Sequence, residues 1–213
     1  MERSKIGFVT GLAAEAQLLR DCGFLVGIGG GLPEGAYRAA EALVAQGAGA
    51  LISFGLAGGL APGIQPGAVL VPRTIIEGPR VYFCDASLMA FLGGATDQPI
   101  TAGHRIAATV QDKTALFRRT KAAAVDLESG AVARVASARK LPFAVLRAIA
   151  DPADRRLPPA AMIPLKPGGG IDLWRILASV AAHPGQIPGL IGLAGDAGKA
   201  RAALVARVKQ LNA

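Results

Sequence analysis

Short apolar runs alternate along this chain with segments where Ala and Leu recur every three or four positions, the pattern of strands feeding helices. Residues 5–10 (KIGFVT) read as a buried first strand, and Gly11 then turns the chain into a helix over 12–20 with Leu18 and Leu19 on its apolar side. A second short strand over 24–28 ends in Gly29, Gly30 and Gly31. Ala36, Ala39, Ala40, Leu43 and Val44 mark a helix over 34–46, which leads into a buried strand over 50–54 and a glycine turn. A strand over 68–71 lies between breakers, with Pro66 and Gly67 before it and Pro72 after it.

The rhythm is lost over 77–104, which is rich in Gly and Pro, and no order of elements is assigned there. It resumes with a strand over 106–110, a helix over 113–120 and a strand over 122–125. A helix over 126–139 buries Leu127, Ala131, Val135 and Ala138, and Leu141-Pro142 then starts a strand over 143–149. A Pro-rich loop through Pro158, Pro159, Pro164 and Pro167 leads to closing helices over 173–182 and 188–211. Strands that alternate with helices predict an α/β fold: a single domain spanning 1–213, with a mainly parallel central sheet flanked by helices.

Composition narrows the function classes. Apolar residues make up 52% of the 213 positions, but much of that is Ala, and Gly adds 28 more small residues. The apolar stretch over 48–60 is broken by glycines and too short to span a bilayer. Glu2, Arg3 and Lys5 precede the first strand without the pattern of a signal peptide, so a cytoplasmic location is expected. Cys22, Cys84, His104 and His183 are mutually isolated, which predicts no metal site and no disulfide framework. The net charge of +8 suits a phosphate-bearing ligand or an anionic membrane surface. With 5% aromatics and no recognition motif, no nucleic acid is expected as a partner.

Three segments carry the chemistry: Ser53 to Leu60 (SFGLAGGL), Val125 to Ser129 (VDLES) and Arg147 to Asp154 (RAIADPAD). Each reads as an apolar strand running into a small or acidic turn, and strand ends are where open α/β sheets bind ligands. Taken alone, Asp151 before Pro152 reads as a turn carboxylate, Glu128 as helix N-terminal charge and the glycine run at 29–31 as a tight turn. That glycine run is no dinucleotide fingerprint, since Leu32 stands where the pattern needs Gly.

Together with Gly11 to Glu15 and Leu18 to Arg20, the three segments resemble the purine nucleoside phosphorylase and nucleosidase superfamily, in the branch of methylthioadenosine/S-adenosylhomocysteine nucleosidase. Order and approximate spacing agree over 5–155. SFGLAGGL, AVDLES, the LPPAA loop and the HPGQIP segment at 183–188 further resemble the hopanoid-associated phosphorylases. That narrower likeness implies phosphorolytic release of adenine from adenosylhopane in hopanoid side-chain synthesis. It leaves two alternatives: hydrolysis of a soluble purine nucleoside, and a non-catalytic nucleoside-binding or membrane-associated module.

The resemblance implies residue roles. Asp151 matches the general acid for the departing base, with Glu15 and Arg147 facing the nucleophile. Glu128 matches the carboxylate that holds the ribose hydroxyls, and Leu127 and Gly58 are further substrate contacts. For a phosphorylase, Gly29, Gly30 and Arg147 would bind phosphate, the one co-substrate, with no cofactor. Leu56 and Ala150 depart from the family by replacing polar residues beside the nucleophile and the acid. The apolar residues Leu157, Met162, Ile163, Leu165, Trp174, Ile187, Leu190 and Ile191 serve either as ordinary core or as the lining for a large apolar 5′ group. Such a substrate implies peripheral contact with the inner membrane, and the family implies a homo-oligomer.

Overall fold

A computed structural model describes residues 2–166 and 168–212, so Pro167 of the expected Pro-rich loop lies outside the described residues. One nine-stranded sheet forms the centre. Its strands are β1 (Ile6–Thr10), β2 (Leu25–Ile28), β3 (Ala50–Gly59), β4 (Val69–Leu70), β5 (Thr74–Glu77), β6 (Arg80–Phe83), β7 (Ile100–Ala102), β8 (Ala124–Asp126) and β9 (Phe143–Asp151). The main path runs β2-β1-β3-β8-β7-β5-β6, while β9 lies along β3 and carries β4. Pairings β1–β2, β1–β3, β3–β9, β5–β7 and β7–β8 are parallel, whereas β3–β8, β4–β9 and β5–β6 are antiparallel. The sheet is therefore mixed within an α/β fold.

Helices α1 (Ala13–Ala16), α2 (Pro33–Ala45), α3 (Ala86–Phe91), α4 (Val110–Thr120), α5 (Ser129–Arg139), α6 (Leu173–Ala182) and α7 (Ile187–Asn212) surround it. Proline at the first position of α2 has a preset φ and gives up an N–H that a helix start leaves unused. Its Ala36, Ala40 and Leu43 pack with Ala131, Val132 and Val135 of α5 in one core cluster. A second cluster joins Leu88 and Met89 of α3 to Ala200, Leu204, Val208 and Leu211 of α7, around Phe8 and Phe54. No single helix among the described residues is long and apolar enough to cross a membrane.

Several expected elements are corrected. The segment from Gly55 to Gly59 is not a turn but the continuation of β3, because β9 pairs with it to Gly58 and β8 caps its end at Gly58 and Gly59. No strand forms over 106–110. Thr109 and Asp112 make a reciprocal capping box, with the Thr109 hydroxyl accepting from the Asp112 N–H at 3.0 Å, and this starts α4 at Val110. The expected helix over 12–20 splits into α1 and a 3₁₀ turn, Gln17–Leu19. The stretch over 77–104 holds the β5–β6 hairpin, α3 and β7.

Candidate active site

The carboxyl ends of β1, β3, β8 and β9 open onto one cavity of about 530 Å³. Gly11, Leu12 and Glu15 line it after β1, Leu56 to Gly58 on β3, Val125 to Glu128 at β8, and Ala150 and Asp151 on β9. The antiparallel pairing of β8 makes this possible. It puts Val125 opposite Gly58 while β9 puts Arg147 opposite Gly55, so Asp126 and Glu128 run back toward Arg147.

Arg147 is 1% exposed and anchors the floor. Its Nε donates to Asp126 Oδ2 at 2.6 Å, and its Nη2 donates to Ser53 Oγ at 2.7 Å and to Glu128 Oε2 at 2.9 Å. Asp126 also accepts from the N–H (3.0 Å) and hydroxyl (2.7 Å) of Ser129, tying the start of α5 to the same cluster. An arginine so deep in the sheet is tolerable only because carboxylates partner it closely. Burial pushes the Glu128 carboxyl up to about 7 against the pull of Arg147.

Glu15 sits beside this cluster in a cradle of backbone N–H groups. Its Oε2 accepts from Gly11 at 3.1 Å and Leu12 at 2.9 Å, and its Oε1 accepts from Leu56 at 2.9 Å. Burial raises its pKa above the usual carboxylate value, with Arg147 opposing. The Leu56 side chain cannot contact a nucleophile through oxygen, and its N–H is already taken by Glu15.

Asp151 ends β9 with its carboxyl at the cavity wall. Burial raises its pKa, opposed chiefly by Lys113. The fully buried Lys113 on α4 donates to Asp151 Oδ2, to Pro152 O at 2.7 Å and to Arg155 O at 2.9 Å. Sequence reasoning missed this lysine. The available signal was its spacing: Lys113, Leu116 and Phe117 fall at i, i+3 and i+4, which places the lysine on the apolar stripe of its helix.

The other expected residues divide. Leu127, Gly58 and Gly30 line the cavity. Gly29 does not: its N–H donates to Thr10 O at 2.7 Å, and a Cβ there would lie 2.8 Å from Ala36 N, so it serves close approach of α2. Arg147, expected on phosphate, is likewise absent from the lining, its guanidinium committed to Asp126, Glu128 and Ser53. His104 to Ala107, to which the sequence assigns no role, also line the cavity. Leu157, Met162, Ile163 and Leu165 line the cavity, whereas Trp174, Ile187, Leu190 and Ile191 do not. Among the described residues no group of three His, Cys, Asp or Glu side chains could hold a metal ion.

Solved structures share this architecture. The 5′-methylthioadenosine/S-adenosylhomocysteine nucleosidase of Neisseria meningitidis, in complex with methylthio-immucillin-A, aligns with a TM-score of 0.67 at 17% identity, covering 95% of this chain and 97% of that one. The futalosine hydrolase of Helicobacter pylori gives 0.67 at 16% identity, covering 96% and 97%. The S-adenosylhomocysteine nucleosidase of Streptococcus pyogenes, with 5-methylthiotubericidin, gives 0.68 at 16%, covering 100% and 99%. At such identities the likeness speaks for the fold alone. No curated protein matches the chain in sequence. The family model of the phosphorylase superfamily matches residues 8–88 and 94–161, well over half of the chain, and the chain belongs to that superfamily.

Proposed function

We propose that this chain cleaves the N-glycosidic bond of an adenine nucleoside bearing a large apolar 5′ group, adenosylhopane being the substrate that the hopanoid resemblance implies. The observation that carries this reading is the convergence of Asp151, Glu128 and Glu15 on one cavity that Leu157, Met162, Ile163 and Leu165 also line. Asp151 would protonate the departing base as the C–N bond breaks. Glu128 would accept hydrogen bonds from the ribose hydroxyls, which strengthen as positive charge grows on the sugar.

Water is the nucleophile that the geometry favours. Three N–H groups that could cradle an anion are filled by the Glu15 carboxylate, a group able to take a proton from water. Phosphorolysis is the second reading. It rests on the hopanoid likeness and on Gly30 and Gly31, which line the cavity with φ of 75° and 74° and turn backbone toward it.

Peripheral membrane contact belongs to the same proposal. Helix α6 buries none of its residues, and Leu173 and Trp174 are 61% and 79% exposed beside the basic Arg175. Adenine release from adenosylhopane in detergent, with and without phosphate, tests the reading. Free ribosylhopane made without phosphate supports hydrolysis, a phosphoribosyl product supports phosphorolysis, and no adenine from folded protein overturns both.

A further inference from the structure

We infer that Lys113 is a positioning residue for the acid: it grips Oδ2 of Asp151 so that the carboxyl presents Oδ1, with its proton, to the leaving base. This rests on the reading of Asp151 as the acid. All three N–H bonds of the Lys113 ammonium are used, on Asp151 Oδ2, Pro152 O and Arg155 O. The two carbonyls belong to the turn that follows β9, so one ammonium fixes both the rotation of the carboxyl and the backbone beyond it. A buried ammonium is tolerated only when fully partnered, and this one is.

The other oxygen is different. Among the described residues Asp151 Oδ1 takes part in no hydrogen bond, yet no fully buried side-chain oxygen lacks a partner. Oδ1 therefore has open surface, and Asp151 borders the cavity. As the proton passes from Oδ1 to the purine nitrogen, the electrons of the C–N bond pass to the base. The carboxylate left behind gains the charge of an ammonium already in place. Lys113 gives up no proton. The other ionisable groups around Asp151 are Arg155 in the loop after β9 and Asp196 of α7, which binds both Arg155 and Lys199, while Glu15, Asp126, Glu128, His104 and Arg105 line the same cavity.

The test compares wild type, Lys113→Met and Lys113→Arg, with adenine release from adenosylhopane in detergent followed across pH. The acid works protonated, so activity falls as pH rises through its pKa. Without the neighbouring cation that alkaline limb moves up by about 1–3 pH units, and the weaker acid turns over roughly tenfold or more slowly. Lys113→Arg keeps the wild-type limb. A folded Lys113→Met whose rate falls with the limb unmoved overturns the inference, since a merely structural lysine would act that way. If Lys113→Met does not fold, Lys113→Gln keeps donors to the two carbonyls without the charge. The side-chain ¹³C resonance of Asp151, identified by its loss in Asp151→Asn, is titrated in the same variants without substrate. Its midpoint is expected to rise in the uncharged variant and would contradict the inference by staying fixed. Wild type that releases no adenine but passes this titration would refute the proposed reaction while leaving the role of Lys113 standing.

Discussion

Replacing Glu15 by Gln removes one lone-pair-bearing oxygen from a site built for two. The carboxylate accepts from Gly11 and Leu12 on Oε2 and from Leu56 on Oε1. A glutamine can turn its oxygen to the first pair, but its NH₂ then points at the Leu56 N–H, donor against donor. A buried N–H left without an acceptor costs about 1–3 kcal/mol. For a chain of this size that lowers Tm by roughly 2–12 °C, a change that leaves the protein folded at room temperature. Turnover should fall much further, by about 10²–10⁴, because an amide cannot take a proton from water. Circular dichroism melting and adenine release at neutral pH measure the two effects on one preparation. Glu15→Ala goes further and frees all three N–H groups, so formate should restore part of the activity by occupying the cradle. A folded Glu15→Gln protein with turnover within threefold of wild type would refute the role of Glu15 as base.

Other outcomes follow from the same geometry. Gly55 has a φ of 150°, and a Cβ there would lie 2.6 Å from Glu15 Oε1 and 2.7 Å from Arg147 Nη1; Gly55→Ala should displace both groups and lower both Tm and adenine release. Glu128 holds its proton more tightly folded than unfolded, with a carboxyl raised from 4.5 to about 7. The stability it confers is thus complete below pH 4.5 and lost as pH rises toward 7, and Glu128→Gln should flatten that part of a urea-melting profile against pH. Trp174, 79% exposed and outside the cavity lining, should matter for lipid alone: Trp174→Glu is expected to weaken sedimentation with anionic vesicles and to leave turnover of a soluble nucleoside unchanged.

The alternation of apolar runs with Ala-rich helical stretches made most of the fold legible, since β1, β3, β9, α2 and α5 each carry a periodicity that burial enforces. What the pattern could not show was strand direction. Val125 and Asp126 read the same whether β8 runs with β3 or against it, yet the antiparallel choice is what brings Asp126 to Arg147. Gly55 to Gly59 resembled a turn because glycines punctuate local structure, while their continuation as strand comes from pairing with residues far away in sequence. Motifs mark Glu15, Glu128 and Asp151 as candidates, and all three line one cavity. Lys113 was hidden by its surroundings, lying between Asp112 and Thr114 in a helix that looks polar. Its burial depends on the loop after β9, which local sequence does not encode.

Adenine release by wild type beside Asp151→Asn tests the central claim most directly, with both proteins checked for folding and supplied with the same apolar 5′-substituted adenine nucleoside. The expected result is catalytic release of adenine by wild type and a loss of about 10²-fold or more in the variant. Equal rates in the two proteins, or no adenine from folded wild type, would contradict the account.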